Sequence, residues 1–149
     1  MGVNLLLAID QFEPGRAAVG FTIGFATRLG ADVQVFHVRE VPSSLGIEPM
    51  ESQAESHDLV EGAVRQLQAA GLRAEGRFCS DHASCVPRLI VEEASERQCS
   101  AIVLGSLRMR GFQAVMGQRT RERVLKMSTL PVIVSPPASR VHEPIAADP

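Results

Sequence analysis

The clearest fold signal lies in AIVLGSLRMRGFQAVMGQRTRERVLKMSTLPVIVSP (residues 101–136). This stretch opens with an apolar run that stops at Gly-Ser, continues through a loop with glycines, and closes with a second apolar run, PVIVS. The two apolar runs predict buried strands, and residues 120–127 predict the core of the helix that joins them. A strand, a connecting helix and a second strand form the repeating unit of a parallel sheet.

The rest of the chain repeats this alternation. Three earlier strands are predicted, at residues 3–10, 32–38 and 72–79. Apolar residues at helical spacing predict the connecting helices, and the polar segment 39–58 predicts a loop able to act as a lid. The pattern predicts one α/β domain (residues 1–136) built on a single doubly wound five-stranded parallel sheet with helices on both faces. Residues 137–149 are predicted to be a disordered C-terminal tail.

Composition narrows the class of protein. The formal net charge of −2 gives the 149-residue chain no general affinity for nucleic acid. No apolar run reaches the roughly 18–20 residues that cross a bilayer, and the N-terminus lacks the features of a signal peptide. The three cysteines form no CxxC pair, and the four histidines show no metal-ligand spacing. We therefore expect a cytoplasmic protein with no metal site, no membrane segment and no nucleic-acid partner.

Positive charge is concentrated in one segment. Residues 108–123 contain five arginines and a single acid, Glu122, although the chain as a whole is slightly acidic. Such a basic patch predicts a site for a small anion or an acidic partner. In doubly wound sheets, ligands bind outside the carboxyl ends of the strands, where the winding direction reverses. The candidate loops are therefore the one after the first strand, which holds Asp10, and the one after the fourth, which begins at Gly105.

Four segments carry a resemblance to the universal stress protein family that extends from about Val3 to Pro136. They are LLLAID, VQVFHV, SAIVLGS and ERVLKMSTLPVIVSP, which occur here in the family's order. The resemblance implies a Rossmann-like sheet of the universal stress protein type, with strand order 3-2-1-4-5. It also implies a homodimer paired through the last strand (residues 131–135).

The nucleotide-binding signature of the family is half present. Nucleotide-binding members carry Gly-x2-Gly-x9-Gly-(Ser/Thr) after strand four, where glycines let the backbone approach phosphate and a helix N-terminus supplies N–H donors. Gly105 matches the first glycine and Gly117 the third, but Arg108 replaces the second and Gln118 the closing hydroxyl residue. The interval before Gly117 is one residue short. Thr120 falls where many members place a second hydroxyl.

Each matched residue also has a purely structural interpretation. The resemblance implies that Asp10 contacts the nucleoside and that the backbone of Val38 holds the adenine. Asp10 is equally suited to capping the turn into the first helix, and Val38 to ending a strand. Gly105 and Gly117 suit plain turns, and Thr120 suits a helix cap.

The arginines divide into two groups. Arg108 and Arg119 are the predicted phosphate ligands, because a guanidinium can replace backbone donors with a bidentate, charge-assisted grip. Arg121 and Arg123 are expected on a solvated face, where the neighbouring Glu122 accounts for them.

No residue set predicts catalysis. The sequence shows no nucleophile beside a base, no motif with paired carboxylates and no Walker-type Gly-Lys-Ser/Thr. If ATP binds, its turnover should be slow or absent. We expect a stress-response sensor that binds ATP or another adenine nucleotide, such as AMP or cyclic AMP, and that contacts an unknown protein partner. The alternative is an interaction module of the same fold that binds no nucleotide and acts through its dimer surface.

Overall fold

The computed structural model describes residues 2–44, 46–105 and 112–136. Strands and helices alternate along these ranges, with one 3-10 turn (Ala83–Cys85) before the third helix. The elements are β1 (Asn4–Ile9), α1 (Glu13–Leu29), β2 (Asp32–Glu40), α2 (Gln53–Ala69), β3 (Ala74–Asp81), α3 (Val86–Glu96), β4 (Ala101–Leu104), α4 (Phe112–Met127) and β5 (Val132–Val134).

The strands form one parallel sheet in the order β3-β2-β1-β4-β5, which confirms the predicted topology. The central strand β1 pairs with β2 on one side and with β4 on the other. Winding therefore reverses between β1 and β4, and Ala8 lies beside Leu104 near the carboxyl ends of both strands. The loops that contain Asp10 and Gly105 leave the sheet next to each other, as the sequence predicted.

Helices cover both faces of the sheet, and side chains of β1 alternate between the two. Leu5 and Leu7 belong to the buried cluster on the α1 and α2 side, together with Leu67 of α2. Leu6 belongs to the cluster on the opposite side, which includes Val124 of α4. This burial on both faces explains why β1 is an unbroken apolar run.

Local signals fix the end of α1 and the beginning of α2. Gly30 ends α1 in the left-handed conformation, with φ +63°, which glycine adopts without steric cost. Ser52 begins α2, and its Oγ accepts a hydrogen bond of 3.0 Å from the N–H of Glu55.

The last helix starts earlier than the sequence indicated. The structure has α4 begin at Phe112, whereas the sequence predicted a loop up to about residue 120. Gly117 and Thr120 therefore lie within α4, and their interpretation as a turn residue and a helix cap is wrong.

Candidate functional site

A cleft of about 180 Å³ lies at the carboxyl ends of β1 and β2. Its walls are the turn after β1, the end of β2 and the segment that follows β2, and they include Asp10, Phe12, Val38, Glu40, Met50 and Glu51. The volume is below the roughly 300–1,000 Å³ of pockets that enclose a whole drug-sized molecule, so it suits one ring system of a larger ligand. The cleft brings together Asp10 and Val38, which are 28 positions apart in the chain.

Asp10 has a structural role in addition to its place in the cleft wall. Its Oδ1 accepts a hydrogen bond of 2.8 Å from the N–H of Phe12, which closes the turn between β1 and α1. Both interpretations of Asp10 are thus compatible with its position. Its contact with a nucleoside stays a prediction.

His37, on β2 beneath the cleft, is buried and uses both ring nitrogens. Nδ1 lies 2.8 Å from the carbonyl oxygen of Ile9, and Nε2 lies 2.7 Å from Oε1 of Glu51. Because a carbonyl only accepts, Nδ1 must carry a hydrogen. Nε2 and Glu51 then share one further proton, either as imidazolium with carboxylate or as neutral imidazole with carboxylic acid.

Glu51 also binds the first turn of α2. Its Oε2 accepts a hydrogen bond of 2.9 Å from Ser56 Oγ, and its main-chain oxygen accepts one of 2.9 Å from Arg39 Nε. His37, Glu51 and Ser56 are all buried, and we call this hydrogen-bonded set the clasp. The clasp ties the end of the segment after β2 to the sheet, whereas Met50, the preceding residue, is 75% exposed.

The clasp was not predicted from the sequence. Glu51 is 14 positions from His37 and 5 positions from Ser56, and the polar segment that contains it shows no periodicity. The available signal was weak: a histidine inside an apolar strand, and a glutamate directly before Ser52, which caps α2. The clasp therefore holds the C-terminal end of the predicted lid to the sheet.

Acidic groups dominate the electrostatics of the cleft. Burial, followed by the negative charges of Asp10 and Glu51, raises the pKa of Glu40, while His37 opposes the shift. Carboxylates of this kind accept hydrogen bonds from sugar hydroxyls, but they repel phosphate. The cleft thus suits the nucleoside part of a nucleotide better than its phosphates.

A basic group of α4, Arg121, lies close enough to Asp10 for their charges to interact. Its guanidinium donates a hydrogen bond of 3.0 Å to the carbonyl oxygen of Gly105, the residue after β4. Burial lowers the pKa of Arg121, and the charge of Asp10 opposes that shift. Arg121 is thus half-buried at the junction of β1 and β4, and its predicted place on a solvated face is wrong.

The structure describes only some of the other residues predicted for this region. Arg119 and Arg123 of α4 are exposed, and Thr120 is half-buried on the same helix. Arg108 lies outside the described residues. The side chain of Gln118 does too, so the phosphate roles of Arg108, Gln118 and Arg119 stay predictions.

Neither a metal-binding cluster nor a membrane-spanning helix occurs in the described ranges. No group of three or more histidine, cysteine, aspartate or glutamate side chains there could hold a metal ion. Nor do those ranges contain a helix with the length and apolar character required to cross a membrane.

Comparisons with known proteins agree with this architecture. The chain is similar to a universal stress family protein from Burkholderia pseudomallei, with a TM-score of 0.69, 20% identity, and coverage of 89% of this chain and 95% of that one. It is similar to the universal stress protein from Archaeoglobus fulgidus in complex with dAMP, with a TM-score of 0.65, 21% identity, and coverage of 90% and 97%. An Arabidopsis thaliana family protein with AMP bound gives a TM-score of 0.62, 15% identity, and coverage of 99% of both chains.

At these identities the structural neighbours show the fold. No curated protein matches the sequence. A model of the universal stress protein family matches residues 3–136, which include every strand and helix described above. The chain therefore belongs to the universal stress protein family.

Proposed function

We propose that this protein is a non-catalytic sensor that binds an adenine nucleotide (ATP, AMP or cyclic AMP) during the stress response. The observation that carries the proposal is the cleft at the carboxyl ends of β1 and β2, which Asp10 and Val38 both line. A ring system fits its volume, and Asp10 and Glu40 offer acceptors for ribose hydroxyls. The neighbours solved with dAMP and with AMP support the choice of ligand class.

The lack of catalysis is part of the proposal. In the described part of the cleft, the one imidazole is His37, and both of its nitrogens are engaged in the clasp. A histidine held in this way is not available as a general base for an attacking water. Binding of nucleotide, rather than its hydrolysis, is therefore the proposed activity.

Calorimetry with ATP, AMP and cyclic AMP tests this proposal. We expect at least one dissociation constant tighter than about 0.1 mM, equivalent to roughly 5–6 kcal/mol. The variant Asp10→Asn keeps an oxygen that accepts from Phe12 N–H but removes the charge, so its turn should survive. We expect it to bind at least about tenfold more weakly, since a hydrogen bond to a charged group contributes about 1.5–3 kcal/mol.

Asp32→Asn is the matched control. Asp32 is exposed at the opposite end of β2, so the same change in charge there should leave nucleotide affinity unaltered. If the wild-type protein binds none of the three nucleotides, or if both variants bind equally well, the proposed nucleotide site is refuted.

The proposal also includes a homodimer and a cytoplasmic location. β5 is an edge strand, and its Val134 is 41% exposed, which favours a homodimer paired through residues 131–135. The three cysteines are free thiols, in keeping with the reducing cytoplasm.

The exposed edge also favours the second candidate function, an interaction module that binds no nucleotide. Such a module would act through its dimer surface and an unknown protein partner. In neither case do we propose a nucleic-acid or membrane partner.

A further inference from the structure

Arg121 lies where the two halves of the sheet diverge. β1 and β4 are paired neighbours up to Ala8 and Leu104, and Asp10 and Gly105 follow them within two residues. The guanidinium of Arg121 reaches this point from α4 and is anchored by its 3.0 Å hydrogen bond to the Gly105 carbonyl. Its charge is therefore held beside the cleft, at the reversal point where ligands of doubly wound sheets bind.

The guanidinium of Arg121 is partly removed from water at this position. Burial disfavours the charged guanidinium enough to lower its pKa, even though Asp10 acts in the opposite direction. A guanidinium has five N–H donors in a planar fork, and the Gly105 carbonyl accepts from one of its terminal nitrogens. The remaining donors suit the oxygens of an anion, whose negative charge would favour the charged guanidinium that burial disfavours.

The cleft and Arg121 together define a ligand with two parts. The cleft itself is lined by Asp10 and Glu40, whose carboxylates favour hydroxyl donors and repel phosphate. Arg121 does not line the cleft, but it is close enough to Asp10 for the two opposite charges to attract each other. A nucleoside placed in the cleft would thus direct a phosphate on its ribose away from Glu40 and towards Arg121.

We propose that Arg121 is the anion-binding residue of this site and that it makes the site select nucleotides over nucleosides. The inference rests on the proposed function and specifies the part of the nucleotide that Arg121 recognises. It replaces the role that the sequence assigned to Arg119, which lies two residues earlier on the same helix and is exposed.

Titration of AMP and adenosine into three proteins tests this inference. In the wild type, AMP should bind at least tenfold more tightly than adenosine. Arg121→Gln should lower AMP affinity by roughly 10–100-fold, the range that a lost charge-assisted contact produces, and should leave adenosine affinity within about twofold. Arg123→Gln makes the same change in charge at an exposed position of α4 and should alter neither affinity.

The outcomes separate the inference from the function on which it rests. Because glutamine is shorter than arginine and is not expected to reach the Gly105 carbonyl, melting temperatures of both variants equal to that of the wild type would show that α4 is intact. If Arg121→Gln binds AMP as tightly as the wild type, or more tightly because the side chain obstructs the site, the inference is overturned while nucleotide binding stands. A wild-type protein that binds neither AMP nor adenosine would refute both.

Discussion

Removal of the Glu51 side chain should cost a large part of this protein's stability. Glu51→Ala leaves His37 Nε2, in a residue 3% exposed, and Ser56 Oγ, in a residue 0% exposed, without their present partners. Breaking a buried charged pair by removing one member typically costs about 3–5 kcal/mol. For a chain of this length each kcal/mol lowers the melting temperature by roughly 2–4 °C. We therefore expect Glu51→Ala to melt roughly 6–20 °C below the wild type.

Glu51→Gln separates hydrogen bonding from charge. The glutamine amide can donate to Nε2 of a neutral His37, and its oxygen can accept from Ser56 Oγ, so the geometry permits both side-chain bonds of the clasp. We expect this variant to lose only about 1 kcal/mol, the difference between a charge-assisted and a neutral bond. Urea denaturation followed by circular dichroism would measure both variants.

The same pair of variants tests whether the clasp fastens the lid. Hydrogen exchange of residues 46–52 should accelerate in Glu51→Ala much more than in Glu51→Gln, because only the first variant loses both side-chain bonds to the sheet and to α2. If Glu51→Ala is as stable as the wild type and exchanges no faster in this segment, the clasp carries no energy and the reasoning fails.

Three further predictions concern other parts of the fold. Gly76→Ala should destabilise by about 1–3 kcal/mol in urea denaturation, because its Cβ would lie 2.7 Å from a Val60 methyl, whereas Gly62→Ala on the open side of α2 should stabilise by about 0.5–1 kcal/mol. Glu40→Gln should stabilise the protein at pH 7, because a raised carboxyl pKa destabilises the folded state at pH values above that pKa. When the free energy of unfolding is measured against pH, the stabilisation should decrease as the pH falls through the raised pKa and should vanish below the ordinary value of 4.5. Val134→Arg should convert the proposed dimer to monomer in sedimentation, and an unchanged sedimentation coefficient would place the dimer contact elsewhere.

The sheet and its ligand edge could be predicted because both depend on short-range patterns. An apolar run such as Leu5 to Leu7 indicates a strand buried on two faces, and alternation with helices forces parallel pairing. Asp10 and Gly105 follow from the same logic, since each is among the first residues after a strand, and the carboxyl ends of parallel strands share one edge.

The orientation of the arginines could not be predicted, because it depends on the direction in which a helix faces. Neighbouring positions on an α-helix point about 100° apart. An error of several residues in the start of α4 therefore left the inward direction undetermined, and Arg119 was favoured over Arg121. The clasp was missed for a different reason: the contact of His37 with Glu51 arises from the return path of a loop, which no periodicity encodes.

The clasp has a consequence for communication across the molecule. Glu51 bonds at once to a strand residue under the cleft and to Ser56 inside the first turn of α2, a helix that packs against the far side of the sheet from α3 and α4. A molecule that displaced Glu51 from His37 on entering the cleft would also release Ser56. Binding at one edge of the sheet would then alter the outer surface of α2, a helix that lies some distance from any contact with the bound molecule.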